Sequence, residues 1–335
     1  MSLRNILLFL LSIFVGILLF TWVYNIVGWE EIKNVFINFN INHGLIIFGL
    51  TLLIALMGSW RWQEILKGEN VKLSFFDVFY PYLAGFSIIF LAPILVLAGE
   101  MLRAVILKEK NLVSWSKSTV SIIIDRVLEW TTNLIVIFLG ALFFLFKTGL
   151  PPQNLSLTFG AAFFIFVAVV TFFYIKALKK ESIVKIFSKA FNHNLNGKPE
   201  EIENRVFDFF KIKNKLMWQM FFLSFARVLI MYIRTWLLIV FLGTKIALLP
   251  ALSVLGFSLL AVTIPIPAAL GSHEAIQVFT FNSLGLNISS ATAFTLIIRA
   301  SETILALIGL IILFKLSGFL FKNNFLNKIE KLTKK

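Results

Sequence analysis

Hydrophobic positions along this chain neither alternate nor recur on one helical face; they run together. Apolar stretches of about 20 residues, the length a helix needs to cross a bilayer, occupy 3–24, 42–60, 117–146, 156–176, 216–243 and 291–316. Each predicts a membrane-spanning helix. The first outruns the apolar region of a secretory leader, and no small-residue cleavage pattern follows it, so it reads as a retained helix.

Two further apolar regions are interrupted. Residues 75–110 read FFDVFYPYLAGFSIIFLAPILVLAGEMLRAVILKEK, and Pro93 and Gly99 divide them into pieces of half-membrane length. Residues 247–285 are divided in the same way by Pro265, Pro267 and Gly271. A proline inside a helix removes a hydrogen bond and clashes with the preceding turn. Broken backbone at membrane depth is tolerated only where protein or a wet cavity surrounds it. Both regions therefore predict re-entrant helical hairpins. The expected fold is an all-α polytopic membrane protein, a single transmembrane domain over 1–335, with about six full spans and two broken hairpins.

The distribution of charge decides between hairpins and plain spans. A basic linker, 177–215, carries Lys179, Lys180, Lys185, Lys189, Lys198, Arg205, Lys211, Lys213 and Lys215, and the tail carries Lys322, Lys328, Lys331, Lys334 and Lys335. Positively charged connections stay in the cytoplasm. With 75–110 as a plain span, the linker would fall outside. With both interrupted regions re-entrant, every basic segment and both termini fall on the cytoplasmic side. The expected location is the plasma (inner) membrane of a prokaryote.

Composition agrees. The chain has 335 residues, 59% of them hydrophobic and 14% charged, against roughly 25% charged in soluble domains. The net charge of +14 is accounted for by topology and, secondarily, by attraction to anionic headgroups; no nucleic-acid partner is implied. With no cysteine, disulfides, thiol catalysis and thiolate metal sites are excluded. Three histidines (His43, His193, His273) make a poor zinc set. HEAIQ at 273–277 begins like HExxH, but Gln277 stands where the second histidine belongs. Ser272 and His273 are neighbours and do not share a helix face. No nucleotide or nucleophile-elbow motif is present, so no catalytic residue, metal or cofactor is assigned.

An internal likeness links the interrupted regions. GFS at 85–87 recurs at 256–258, and IIIDRVLEWTTNLIVIFLGALFFLFK (122–147) lies over LIIRASETILALIGLIILFK (296–315). That overlay pairs Arg126 with Arg299 and Glu129 with Glu302. Repeat units of about 75–147 and 247–316 follow. Under the topology above their closing helices run in opposite directions, the inverted arrangement common in secondary transporters.

The intramembrane charges are the candidate substrate-binding set: Glu100, Arg103, Asp125, Arg126, Glu129, His273, Glu274, Arg299 and Glu302. Exposing such a residue to hydrocarbon costs at least ~2.5–3.5 kcal/mol, so these groups should face the bundle interior. Arg126 with Glu129, and Arg299 with Glu302, share a helix face at i,i+3. Glu100 and Arg103, and His273 and Glu274, follow the two breaks, where free backbone N–H groups favour anions. Competing readings are helix-packing ion pairs, first-turn carboxylates complementing a helix dipole for Glu100 and Glu274, and a structural hydrogen-bond role for His273. Trp60, Arg61 and Trp62 read as interfacial anchors with a snorkelling arginine.

These residues resemble the transmembrane region of the lysylphosphatidylglycerol synthase and flippase-like family over nearly the whole chain. The likeness rests on Arg61–Trp62, on Pro93, Gly99, Glu100 and Arg103, on Asp125, Arg126 and Glu129, on IPIP through Glu274, and on Arg299 and Glu302. In characterised members this region is associated with translocating aminoacylated phospholipids, and in the synthases an aminoacyl-transferase domain follows it. The chain ends at Lys335, so the resemblance implies a stand-alone flippase-like protein and leaves the cargo open; the expected partners are membrane lipids, whose phosphate headgroup Arg103, Arg126 or Arg299 would meet. Two other functions remain open: a membrane-embedded lipid or polyprenyl-phosphate transferase, for which no paired aspartate motif is visible, and a non-catalytic membrane assembly subunit.

Overall fold

The computed structural model describes residues 39–93, 96–110, 112–149, 198–264 and 266–333, with scattered positions in 14–37 and 164–179. The spans expected at 3–24 and 156–176, most of the linker 177–215, Pro265, Lys334 and Lys335 lie largely or wholly outside these residues.

Among the described residues the structure is helical throughout. Helix α1 (Ile41–Gly68) is followed by α2 (Phe75–Leu91), α3 (Val96–Glu109) and α4 (Trp115–Thr148). The second half holds a short α5 (Lys198–Phe209), then α6 (Lys215–Phe241), α7 (Leu248–Val262), α8 (Ser272–Ser283) and α9 (Ile288–Thr333). Helices α1, α4 and α6, and α9 as far as Leu316, are long and apolar enough to cross a membrane. They coincide with four of the expected spans. Local signals start them: Asn40 Oδ1 accepts from Asn42 N at 2.9 Å at the head of α1, and Asn214 Oδ1 from Leu216 N at 3.1 Å at the head of α6. Such caps satisfy backbone N–H groups that the helix itself leaves free. Helix α9 does not stop near 316 but continues to Thr333, so the backbone of most of the basic tail is helical.

The surface is inverted relative to that of a soluble protein. Phe146, Phe222 and Phe314 are exposed while Arg61, Arg103 and Asp125 are buried. That distribution is stable only where the surrounding solvent is hydrocarbon, and the chain is an integral membrane protein of the polytopic helical class.

The interrupted regions form two helical hairpins. Helices α2 and α3 have 17 and 14 residues, and α7 and α8 have 15 and 12. At about 1.5 Å per residue each falls short of the ~30 Å hydrocarbon core. Pro93 lies in the first break, as expected. Gly99 does not: it is inside α3, where its role is close approach. A Cβ there would stand 2.5 Å from Ile89 Cγ1 and 2.8 Å from Gly85 O, so the two glycines let the arms of the hairpin touch. In the second break Pro267 opens a 3₁₀ turn, Pro267–Ala269, and Gly271 takes φ of 78° at the head of α8, a conformation glycine adopts without strain. Gln277, which spoiled the zinc motif, staples this hairpin by donating to Val254 O at 3.1 Å and Ser258 Oγ at 2.8 Å.

The halves interlock by exchange. Helix α2 packs along α9 and α7 along α4, so each hairpin leans on the closing helix of the other half, while α1 packs against α6. Backbones nearly touch at the two seams. A Cβ on Gly309 would lie 2.3 Å from Leu83 O, and one on Gly140 would lie 2.7 Å from Leu252 O. Helices α1 and α6 run antiparallel, because Arg61 Nη1 donates to Ser224 Oγ at 3.1 Å and Arg234 Nη1 donates to Thr51 Oγ1 at 3.0 Å. The amphipathic α5 was not expected inside the basic linker. Its Val206, with Phe210 just after it, joins Ile65, Ile124 and Leu128 in one apolar cluster, and Arg205 pairs with Glu69.

Candidate functional site

Membrane-buried charges persist only where partners neutralise them, and every charged candidate from the sequence except Glu274 is bonded into one of two networks. The first is built on α4. Arg126 and Glu129 pair along one face, Nη2 to Oε2 at 2.7 Å. Asp125, one position before, points into the bundle with no exposed surface. It accepts from Arg61 Nε of α1 at 2.8 Å and from Arg103 Nη2 of α3 at 3.1 Å, with Arg126 Nη2 at 3.0 Å. Glu100 of α3 accepts from Arg103 Nη1 at 2.7 Å and lies 3.4 Å from Arg126 Nε. Glu129 takes two further guanidinium contacts, from Arg61 Nη2 at 3.2 Å and Arg227 Nη1 at 3.1 Å.

The second network is built on α9. Arg299 Nη1 pairs with Glu302 Oε2 at 3.1 Å, again along one helix face, and Arg234 Nη2 of α6 reaches Glu302 Oε1 at 3.4 Å. Arg299 Nη2 lies 2.9 Å from His273 Nδ1 at the head of α8. Glu274, the other candidate there, accepts from Gly271 N at 2.7 Å. That is a first-turn carboxylate complementing the helix dipole, the simpler of its two readings.

No hydrogen bond or ion pair joins Arg126 to Arg299 among the described residues. Helix α6 lies between them. Arg227 and Arg234 are seven residues apart on one face of α6, one in each network. Because α1 and α6 are antiparallel, the first network lies towards the Lys215 end of α6 and the second about 10 Å further along it.

Burial separates the candidates. Arg103 is 2% exposed, with its guanidinium 4.0 Å from the Trp62 ring centroid and 4.9 Å from that of Tyr82, which accounts for it as packing. The side chains of Arg126 and Glu302 keep 19% and 20% exposure, so each network has one edge that opens outward. Glu100 and Arg103, expected in a first turn with free N–H groups, sit further along α3, because that helix starts at Val96 rather than after Gly99.

Sequence reasoning missed three arginines. Arg61, expected to snorkel, is buried and donates to Asp125, Ser224 and Glu129. Its neighbour Trp62 is wholly buried and donates to Ser121 Oγ at 3.0 Å, and only Trp60 is exposed. Arg227 and Arg234 drew no attention. One signal could have found two of them: the spacing from Arg126 to Arg299 and from Glu129 to Glu302 also separates Arg61 from Arg234 and Thr51 from Ser224.

Residues 9–309 match the family model described as the lysylphosphatidylglycerol synthase transmembrane region. Two similar curated proteins are archaeal. The chain is 24% identical over 290 residues to a UPF0104 membrane protein of Methanocaldococcus jannaschii, covering 83% of this chain and 86% of the relative. It is 24% identical over 316 residues to a UPF0104 membrane protein of Pyrococcus horikoshii, covering 88% and 92%. No solved structure matches.

Proposed function

The chain belongs to the family of the lysylphosphatidylglycerol synthase transmembrane region, and from that premise we propose that it is a flippase-like translocase of lipids whose headgroup carries a phosphate. The observation that carries this reading is a surplus of guanidinium inside an apolar bundle. In the first network Arg61, Arg103, Arg126 and Arg227 face three carboxylates, Glu100, Asp125 and Glu129. In the second, Arg234 and Arg299 share Glu302. An unneutralised buried cation costs several kcal/mol. A phosphate entering by the open edges, at Arg126 and Glu302, offsets that cost.

The architecture supports movement of the phosphate. Equal spacing and the reciprocal bonds of Arg61 and Arg234 relate the halves by a two-fold axis normal to α1 and α6. With those helices along the membrane normal, that axis lies in the membrane plane, as in inverted-repeat transporters. The repeat includes α1 and α6 as well as 75–147 and 247–316. We place both termini and the linker 177–215 in the cytoplasm of a prokaryotic plasma membrane, on the distribution of lysine and arginine. Lipid would pass as one half rocks against the other.

The test is transport in proteoliposomes. Labelled phosphatidylglycerol should equilibrate across the bilayer with the wild-type protein, and R126Q and R299Q should each slow it about tenfold or more, since a charge-assisted bond contributes about 1.5–3 kcal/mol. Wild-type rates no faster than protein-free liposomes would sink the proposal.

A further inference from the structure

The two networks are unequal, and the difference locates the phosphate. At the spacing that carries Arg61 onto Arg234, Asp125 falls on Ile298 and Glu100 falls on His273. The second network thus lacks two of the first's carboxylates and, with Ile276 at the place of Arg103 and Ile54 at that of Arg227, two of its arginines. The consequence is visible at the arginines. Arg61 Nε is held by Asp125 at 2.8 Å, whereas its counterpart Arg234 Nε is buried without a hydrogen-bond partner; Arg299 Nε and its counterpart Arg126 Nε both lack one.

His273 adds a third donor. A guanidinium only donates, so the contact at 2.9 Å makes His273 Nδ1 the acceptor and places the ring proton on Nε2. The side chain is 2% exposed, and Nε2 has no partner. Leaving a buried donor unpaired costs about 1–3 kcal/mol; three lie in a network where Glu302 is the carboxylate ion-paired to the arginines, Glu274 taking Gly271 N on Oε2 and leaving Oε1 unpartnered, and together they suit an acceptor that carries charge. Arg103, Arg126 and Arg227 also leave Nε without a hydrogen-bond partner in the first network, so what sets the second apart is the imidazole N–H of His273, a donor standing where the first network has the carboxylate of Glu100. Phe90 lies beneath Arg299, 6.0 Å from its guanidinium carbon, so one wall of the second network is apolar.

We propose that the second network is the station that holds the headgroup phosphate, with His273 Nε2–H donating to a phosphate oxygen and Arg234 and Arg299 supplying the charge. The assignment rests on the translocase reading in taking the phosphate to be that of a lipid. The first network is then the weaker of two stations, its carboxylates standing where the substrate's oxygens stand in the second.

The experiment measures binding rather than transport, so it is decided separately from the flippase assay. Full-length protein in a maltoside detergent is titrated with short-chain phosphatidylglycerol, with inorganic phosphate, and with diacylglycerol of the same chain length. H273N keeps an acceptor near the Nδ1 position for Arg299 but has no donor at Nε2; H273Q keeps a donor near Nε2. The expected result is that H273N binds phosphatidylglycerol about tenfold or more weakly, with H273Q within about threefold of wild type. A purely structural histidine gives the reverse order, which overturns the proposal, as does equal binding by the two variants. I298D restores the carboxylate that the first network has at Asp125 and should weaken binding comparably; unchanged affinity overturns the proposal even if the histidine variants misfold. Competition by inorganic phosphate shows that the phosphate alone is read, and its absence assigns recognition to the phosphate in its lipid. Diacylglycerol binding as tightly as phosphatidylglycerol overturns the assignment.

Discussion

Arg61 and Arg234 occupy reciprocal positions: each donates from Nη1 to a hydroxyl on the other's helix, Ser224 for Arg61 and Thr51 for Arg234. The pair of bonds fixes the register of α1 against α6. Thr51→Val and Ser224→Ala each leave a buried guanidinium N–H unpaired, at about 1–3 kcal/mol apiece. The two sites are about 15 Å apart along α1, so their effects should add. Thermal unfolding in detergent of the singles and the double checks this, and a double mutant no less stable than either single would contradict it.

Asp125 is the centre of the first network, with three arginines on one wholly buried carboxylate. Asp125→Asn keeps the shape but leaves cations buried without their counter-charge. A loss of about 3–5 kcal/mol is expected, seen as a lower yield of monodisperse protein and a lower Tm. Glu302→Gln, at the more open edge of the second network, should cost clearly less.

The seams between halves depend on missing side chains. Gly309→Ala would put a methyl 2.3 Å from Leu83 O, and Gly140→Ala one 2.7 Å from Leu252 O, both against backbone rather than a movable side chain. Each should destabilise by about 1–3 kcal/mol through overpacking. Gly49→Ala, with nothing within 4 Å, serves as the control and should be neutral to slightly stabilising, since alanine is the better helix former.

Orientation is directly measurable because the chain has no cysteine. Helix α6 separates Lys213 from Lys245, so K213C should react with an impermeant maleimide only from the cytoplasmic side and K245C only from the outside. Labelling of both from one side would remove α6 as a span and, with it, the inverted relation of the halves.

Much of this was legible because charge in an apolar run is costly and therefore rare. Arg126–Glu129 and Arg299–Glu302 stand out by their i,i+3 spacing and do pair. Pro93 marks a true break, lying between the end of α2 and the start of α3, whereas Pro81 is carried inside α2. What escaped was long-range. Arg227 and Arg234 have no carboxylate within a turn on α6, and their partners Glu129 and Glu302 come from α4 and α9. Arg61 hid between two tryptophans whose usual place is the interface, and only burial shows that Trp62 faces inward. Gly99 misled because glycine serves both as a breaker and as a contact point, and sequence does not distinguish the two.

The face of α6 that carries Arg227 and Arg234 has a further consequence. On the translocase reading, two guanidinium groups about 10 Å apart make rungs of a ladder within a ~30 Å hydrocarbon layer. A headgroup moving between them never travels the full thickness alone: its longest unaided step is about a third of the distance. The rungs differ, since Arg227 shares Glu129 with Arg61 and Arg126 whereas Arg234 shares Glu302 with Arg299 alone. On that reading a phosphate rests lower on one rung than on the other, so the two stations differ in how long they hold it, while the gradient alone sets the direction of net movement.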